Sequence, residues 1–252
     1  MRKYCIFTMI LPLIAGCSLQ RTDLHLADLF TDNLVLQQSS TAPIWGWATP
    51  GSRITVHTSW GEEARVTTSA KGKWMVELST PATKADPHSM TVAAKDTAIV
   101  LKNVLLGEVW VCSGQSNMEM PVSGWLPNDP IDHSEKEIEA ADYPAIRMFT
   151  VKRNKSFTPL DTCSGSWEIC NPENVPGFSA TAYFFGRSLH QKLGVPVGLI
   201  HSSWSGSPAR SWVDVDFVEK VEGYEDIIQR IAETTDGSTE FNKWLASMKK
   251  VP

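Results

Sequence analysis

The chain has 252 residues, an apolar fraction of 42%, a charged fraction of 20% and a formal net charge of −5. This length and composition are those of a globular protein with one large domain or two modest ones, with room for a core. The sequence contains no basic stripe, so nucleic acid is not expected as a partner.

The first 16 residues have the pattern of an export signal. A basic start precedes an apolar run at 4–16 that is too short for a stable membrane anchor. The run closes on small residues before Cys17, which resembles a bacterial lipoprotein signal with cleavage before Cys17 and lipid on its thiol. An ordinary secretion signal cut nearby is the alternative. Both interpretations predict an exported chain. In the lipoprotein interpretation, the lipid anchor is the only attachment of the chain to a membrane, on the periplasmic or cell-surface side.

Residues 17–26 are predicted to be a tether, and residues 27–105 have a β pattern. Ile54 and Val56 alternate with polar neighbours, as do Trp74, Val76 and Leu78. A turn with a glycine, at 70–73, lies between these two runs and is typical of a hairpin. This region is therefore predicted to be an antiparallel β-sandwich domain.

Residues 106–213 change to an α/β pattern. Continuous apolar runs typical of strands covered on both faces occur at 109–112, 145–151 and 195–200. A helix is predicted from Ala180 to Leu193, with Ser179 as its N-cap and Gly194 as its C-terminal glycine. Its predicted apolar face contains Ala182, Phe185, Leu189 and Leu193. Alternating strands and helices favour a parallel α/β sheet, in which sites form beyond the carboxyl ends of strands.

Residues 214–252 are predicted to be the helical start of an inserted or following region. Two apolar stripes with helical spacing support this, one at Ile227, Ile228 and Ile231, the other at Phe241, Trp244, Leu245 and Met248. A large apolar face of this kind needs a covering element.

Three cysteines lie in the predicted fold, after the signal and Cys17. Cys112 lies in an apolar run and is predicted to be a core residue. Cys163 and Cys170 flank a short loop, and the sequence leaves open whether a disulfide closes it or both stay thiols. The spacing does not fit a zinc ribbon and no second pair of cysteines exists, so no metal site is predicted.

The strongest chemical signal is a serine just after the first α/β strand. The apolar run ends at Ser113 and Gly114, which allow a sharp turn, and Ser116 follows between Gln115 and Asn117. The turn presents the Ser116 hydroxyl at the carboxyl edge of the strand, with backbone N–H groups free to hold a developing oxyanion. These are the requirements of acyl transfer.

The motif differs from the Gly-x-Ser-x-Gly elbow, because Met118 occupies the final position. It resembles instead the SGNH hydrolases, and more closely their sialate O-acetylesterase branch. The main block is Gly107–Met120, and further blocks are Trp167–Cys170, Phe178–Ala180, Tyr183–Arg187, Gly198–Ala209, Leu34–Gln37 and Pro43–Trp47. The resemblance implies an SGNH-type, flavodoxin-like parallel sheet, incomplete in this chain, preceded by the antiparallel sandwich.

The resemblance also implies roles for particular residues. Ser116 would attack an acetyl ester on a sugar and release acetate, and its N–H and that of Gly206 would form the oxyanion hole. Gln115 and Asn117 would be substrate contacts. The family pattern has two adjacent glycines at 205–206, where this chain has Ser205 and Gly206, and a plain strand-to-loop turn is the alternative for this segment. The partner expected is an acetylated sugar, and no metal or organic cofactor is implied.

The base that such a serine requires is absent from the sequence. The family takes its histidine and carboxylate from Asp-x-x-His, a spacing that none of the six histidines has, and the Gln-Gly-Glu block is also missing. His201, at the end of the third α/β strand, is the best internal candidate. The expectation is an N-terminal fragment of an exported carbohydrate O-acetylesterase that is inactive alone. The alternatives are a noncatalytic glycan-binding lipoprotein, for which ten tryptophans offer surfaces, and a fragment that needs a partner chain.

Overall fold

The computed structural model describes residues 23–83, 86–156, 159–213, 215–218 and 220–234, together with residues 239 and 243. Its strands are β1 (His25–Leu26), β2 (Val35–Gln37), β3 (Ser40–Trp47), β4 (Arg53–Thr58), β5 (Glu63–Thr67), β6 (Lys73–Thr80), β7 (His88–Ala93), β8 (Ala98–Gly114), β9 (Tyr143–Thr150), β10 (Trp167–Cys170) and β11 (Val197–Ser203). Its helices are α1 (Ser116–Glu119), α2 (Ser134–Glu139), α3 (Ala180–Leu193), α4 (Val215–Val218) and α5 (Glu225–Thr234), with a 3-10 turn at Ala209–Trp212.

Several predictions fall wholly or partly outside this part of the chain. The predicted signal, Cys17 and most of the tether lie outside the described residues, as does the apolar stripe that begins at Phe241. The last two tether residues form β1, which pairs with β3. Among the described helices, none combines the length and apolar character that crossing a membrane requires.

Two sheets pack together in the first part of the chain. β1, β3 and β6 form a three-stranded sheet, and β4, β5 and β7 belong to a larger sheet that continues through β8. The predicted alternation is confirmed, because Ile54, Val56, Trp74, Val76 and Leu78 are all buried in one core cluster.

The turn at 70–73 is present, with Gly72 at φ +77°, but the hairpin prediction is wrong. β5 pairs with β4, whereas β6 crosses to the other sheet and pairs with β3. The strands before and after this turn therefore lie in different sheets. The local turn signal could not reveal which partner each strand would choose.

β8 is the strand that organises the molecule. It runs for 17 residues, pairs with β7 near its start and with β11 near its end, and so passes from the antiparallel region into a parallel sheet. The predicted boundary between residues 105 and 106 falls inside this strand. The antiparallel sandwich is therefore not confirmed as a separate domain, although the mixed α/β class and the parallel strand pairs are observed.

The parallel part of the sheet has a packed layer on each face. β11 lies between β8 and β9 and is parallel to both, and β10 runs antiparallel to β9. Phe149 and Trp167 point into the core shared with the antiparallel region. Ile146, Met148 and Leu199 point the other way, into a second core with α3. This double coverage explains why the strands read as continuous apolar runs.

The predicted helix α3 is confirmed from Ala180 to Leu193, with both predicted caps. The Ser179 hydroxyl accepts a hydrogen bond from the Ala182 N–H at 3.1 Å, and Gly194 has φ +67°. The predicted apolar face is right in part, since Ala182 is buried and Leu189 packs against the core, whereas Phe185 and Leu193 are exposed. The observed buried residues are Ala180, Ala182, Tyr183 and Gly186.

The physical reason is the close approach of α3 to β11. A Cβ at position 186 would lie 2.6 Å from a methyl group of Leu199, so the helix presents small residues to the sheet. Phe185 instead contacts Trp110 edge to face, with ring centroids 5.0 Å apart.

Cys163 and Cys170 do not form the disulfide that the sequence left open. Both are free, as is Cys112. Cys170 is fully buried in the core beneath α3, whereas Cys163 packs against the core of the antiparallel region. The two thiols belong to different cores on opposite faces of the sheet. Cys112 is buried, as predicted.

A buried arginine links the two parts of the sheet. Arg147 on β9 is only 3% exposed, and its guanidinium donates to the Pro144 carbonyl at 2.8 Å. It also donates to the side-chain oxygens of Asn33 and Asn103, at 3.2 and 3.3 Å. No carboxylate is among these partners, and desolvation lowers the pKa of Arg147 to about 10. The arginine therefore stabilises the fold through hydrogen bonds to neutral acceptors.

We expect Arg147→Met to lower the free energy of unfolding by about 2 kcal/mol, because the Asn103 and Pro144 oxygens would lose their donor in a buried site. The measurement is urea unfolding followed by tryptophan fluorescence. Arg53→Met, at an exposed position on β4, is the matched control. A variant as stable as the parent would show that burying the charge costs as much as its hydrogen bonds return.

We expect the three described cysteines to differ in alkylation rate. Alkylation requires an accessible thiolate. Burial raises the pKa of Cys170 to about 12 and also raises the pKa values of Cys112 and Cys163. The thiols differ in access, because Cys163 is half-buried whereas Cys112 and Cys170 are buried. In the folded protein at pH 8, iodoacetamide should modify Cys163 first, and Cys170 and Cys112 only after unfolding, as read by peptide mass spectrometry. A peptide pair joining Cys163 to Cys170 would contradict the structure.

Candidate active site

Ser116 lies where β8 gives way to α1. Gly114 ends the strand with φ +152°, and Ser116 is the first residue of the short helix. The serine is half-buried, not packed in the core. α1 is held against the start of α3, because the Thr181 hydroxyl donates to the Asn117 carbonyl at 2.7 Å and the Ala180 N–H to the Met120 carbonyl at 2.8 Å.

The loop that follows β11 meets Ser116 at the carboxyl edge of the sheet. β8 and β11 pair in parallel up to Gly114 and Ser203, so both chains leave the sheet together. The Trp204 N–H then donates to the Gly114 carbonyl at 3.0 Å. In consequence the Ser205 hydroxyl donates to the Ser116 Oγ at 2.8 Å. Residues 89 positions apart are thus joined at one site.

An acidic residue fixes this loop electrostatically. The Glu119 carboxylate accepts a hydrogen bond from the Ser205 N–H and forms an ion pair with Arg153. The Arg153 guanidinium lies over the Trp204 ring, 5.6 Å from its centroid, and the Lys155 ammonium lies 5.5 Å from the same centroid. The backbone at 204–205 is therefore clamped between α1 and the segment after β9.

The site contains two backbone N–H groups for which the described residues supply no acceptor. Within the described part of the chain, the N–H groups of Ser116 and Gly206 make no hydrogen bond, whereas the Ser205 N–H is occupied by Glu119. Gly206 has φ +74°, a conformation that favours glycine. Free N–H groups of this kind can stabilise an oxyanion. The roles of Ser116 and Gly206 in an oxyanion hole stay predictions.

Gln115 and Asn117, the two predicted substrate contacts, have different surroundings in the structure. The Gln115 side-chain amide donates to the Ser207 carbonyl at 3.3 Å, so it holds the loop that contains Ser205. Asn117 is exposed and its side chain remains available to a ligand. Contact with substrate stays a prediction for both.

All six histidines lie within the described residues, and none bonds to Ser116. His201 is 7% exposed, its Nε2 lies 2.6 Å from the Ser203 Oγ, and its Nδ1 is buried without a hydrogen-bond partner. Desolvation lowers the pKa of His201, and the negative charge of Glu119 only partly opposes this. The histidine is thus kept neutral beside Phe178 and pairs with a different serine.

Sequence reasoning missed the supporting residues of the site. Glu119 lies inside the motif block, but its link to Ser205 depends on the meeting of two distant strands. The departure from glycine at Ser205 was visible, whereas its contact with Ser116 was not. Arg153 carries no local signal, because it follows β9 in a stretch without a motif.

The comparisons with known proteins agree with this geometry. The family described as "Carbohydrate esterase, sialic acid-specific acetylesterase" matches residues 106–244. The chain belongs to this family of carbohydrate esterases. The match covers the end of β8, the Ser116 turn and the loop at 204–207, so the predicted family resemblance is confirmed.

Individual relatives match over most of the chain. The sialate O-acetylesterase of Mus musculus is 33% identical over 227 residues, which are 82% of this chain and 41% of the mouse protein. The human protein of the same name is 31% identical, with 82% and 42% covered. A carbohydrate acetylesterase structure from Xanthomonas citri superposes with a TM-score of 0.71 at 32% identity, covering 76% of this chain and 43% of that one. The chain spans less than half the length of these relatives.

We expect Glu119→Gln to loosen the loop at 204–207. The variant keeps the shape of the side chain but loses the charge that holds both the Ser205 N–H and Arg153, and a charge-assisted hydrogen bond contributes about 1.5–3 kcal/mol. Loop opening should therefore rise about tenfold or more, which limited trypsin digestion reports as faster cleavage after Arg210. Glu139→Gln, at an exposed position at the end of α2, is the control. Equal cleavage rates for the two variants would contradict the clamp.

Proposed function

We propose that this carbohydrate esterase removes acetyl groups from acetylated sugars by a serine nucleophile, Ser116. The observation that carries the proposal is the half-buried Ser116 at the carboxyl end of β8, in contact with the Ser205 hydroxyl. Among the described residues, the N–H groups of Ser116 and Gly206 have no acceptor. Family membership supports the reaction class, and the printed names of the relatives, sialate and carbohydrate acetylesterases, suggest the substrate class.

The reaction would proceed through an acetyl-enzyme. The Ser116 Oγ bonds to the acetyl carbonyl carbon, its proton passes to a base, and the carbonyl oxygen takes negative charge beside the N–H groups of Ser116 and Gly206. The intermediate collapses with loss of the sugar alcohol, which regains a proton. Water then attacks the acetyl-serine, and acetate leaves.

The proton acceptor is proposed to come from outside these residues. The sequence has no Asp-x-x-His, and none of its histidines bonds to Ser116. His201 is a poor substitute, because its Nε2 is engaged by Ser203. A general base contributes about 10²–10⁴-fold in rate. We therefore propose that the 252-residue chain alone turns over slowly.

Export and lipid anchoring through Cys17 are part of the proposal, supported by the sequence pattern of residues 1–17. An anchored esterase would meet sugars on the outer side of a bacterial membrane. The sequence supports sialic acid esters and plant polysaccharide esters equally well.

A noncatalytic glycan-binding lipoprotein is the second candidate, and one observation favours it. A surface cavity of about 640 Å³ lies on the antiparallel region, far in sequence from Ser116, and is lined by side chains that include Asp23, Asp28 and Lys71. Its wall contains His25 stacked on Trp47, with ring centroids 5.2 Å apart. Flat rings beside polar groups suit sugar binding. This candidate predicts glycan binding without acetate release.

We expect acetate release from an O-acetylated sugar to be slow with the chain alone and to rise about tenfold with added imidazole, which supplies the missing base. Ser116→Ala should remove the imidazole-dependent part, and Ser188→Ala, at an exposed position on α3, should retain it. The measurement is acetate concentration against time, corrected for imidazole without protein. Equal rates for the parent and Ser116→Ala at every imidazole concentration would eliminate the esterase proposal and favour glycan binding.

A further inference from the structure

The hydroxyl of Ser205 has no evident role as an activator of Ser116. It donates its proton to the Ser116 Oγ at 2.8 Å, whereas a general base must accept the proton of the nucleophile. A donor at this position weakens the ground-state nucleophile slightly, because it draws electron density from the attacking oxygen. A catalytic role for the contact between Ser205 and Ser116 must therefore lie in a step after the Ser116 Oγ has begun to attack the substrate.

The position of the hydroxyl suits the transition state. When the Ser116 Oγ bonds to a carbonyl carbon, the oxyanion and the Oγ are attached to the same atom. The Ser205 hydroxyl, which contacts the Ser116 Oγ, can therefore reach the oxyanion by a small rotation about the Cα–Cβ bond of Ser205. Donors aimed where charge develops, and not at the ground-state group, are the ones that accelerate acyl transfer.

The backbone of residue 205 cannot supply this donor itself. Its N–H is occupied by the Glu119 carboxylate, which is in turn paired with Arg153. The preceding residue is also pinned, because the Trp204 N–H donates to the Gly114 carbonyl. Because the N–H groups of Trp204 and Ser205 both have acceptors already, the hydroxyl is the only group of Ser205 that presents a donor to Ser116.

We propose that the Ser205 hydroxyl is a third donor of the oxyanion hole, together with the N–H groups of Ser116 and Gly206. This inference rests on the proposed function, since it requires Ser116 to be the nucleophile. The family pattern described above has glycine at position 205, and glycine offers no hydroxyl. The Ser205 side chain would thus supply a donor that glycine lacks, beside a backbone N–H that the Glu119 carboxylate occupies.

A fluorophosphonate probe tests the inference without a complete catalytic triad. The Ser116 Oγ bonds to phosphorus, the P–F bond breaks, fluoride leaves and the serine proton passes to the buffer. The phosphoryl oxygen that gains charge takes the place of the ester oxyanion. The second-order rate constant of labelling at Ser116, measured by intact mass, reports how well the site holds that charge.

We expect Ser205→Ala and Ser205→Gly to slow labelling about 100-fold, as for the loss of one oxyanion donor, and Ser205→Thr to stay within a few-fold of the parent. Rescue by threonine separates the hydroxyl from a merely structural contact, and urea unfolding midpoints check that each variant is folded. Labelling of Ser205→Ala at the parent rate or faster would overturn the inference and leave Ser116 as the nucleophile. Absence of Ser116 labelling in the parent even with added imidazole, which supplies the missing base, would overturn the proposed function as well.

Discussion

The parallel pairing of β8 with β11 is the interaction on which the site depends. Residues Glu108–Gly114 pair with Val197–Ser203 in register, so both strands end at the same edge of the sheet. A shift of one residue would turn every side chain of β11 to the opposite face. It would move His201 out of its core and carry the loop at 204–207 away from Ser116. The position of the candidate nucleophile relative to its neighbours is therefore set by backbone hydrogen bonds within the sheet.

The two cores keep this pairing rigid from both faces. The antiparallel region covers one face through Phe149 and Trp167, and the Trp167 indole N–H donates to the Leu29 carbonyl at 2.8 Å. Helix α3 covers the other face and approaches closely because Gly186 lacks a side chain. Arg147 joins β9 to the loop before β2 through Asn33 and to β8 through Asn103. The sheet edge that carries Ser116 is thus supported by packing far from the serine.

Local features of the fold were predictable from the sequence, whereas their partners were not. The alternation at Ile54 and Val56 and the capped helix from Ala180 to Leu193 depend on nearby residues, and both are confirmed. The predicted apolar face of that helix was right for Ala182 and wrong for Phe185 and Leu193, because the close fit of Gly186 against Leu199 sets which side of the helix meets the sheet. The hairpin at 70–73 was wrong because β6 finds its partner in another sheet.

In the candidate site, too, local features were predictable from the sequence and contacts between distant residues were not. Ser116 could be predicted from its turn and its motif, because both lie within a few residues of it. The contacts of Ser205 with Ser116 and with Glu119 arise only when two strands distant in the chain pair side by side. The spacing of residues in the sequence does not predict such a contact. His201 shows that position alone is also not sufficient, because it lies at the carboxyl edge of the sheet, as predicted, but bonds to Ser203 and not to Ser116.

The long strand β8 also has a side that no neighbour covers. Beyond Gly107 it pairs with β11 on one side, and on the other no strand of the described residues accompanies it. Val111 in this stretch is 69% exposed. An open row of amide and carbonyl groups beside apolar side chains is a template on which a further extended segment can assemble. The sheet of the described residues can therefore be extended at this edge by a further strand.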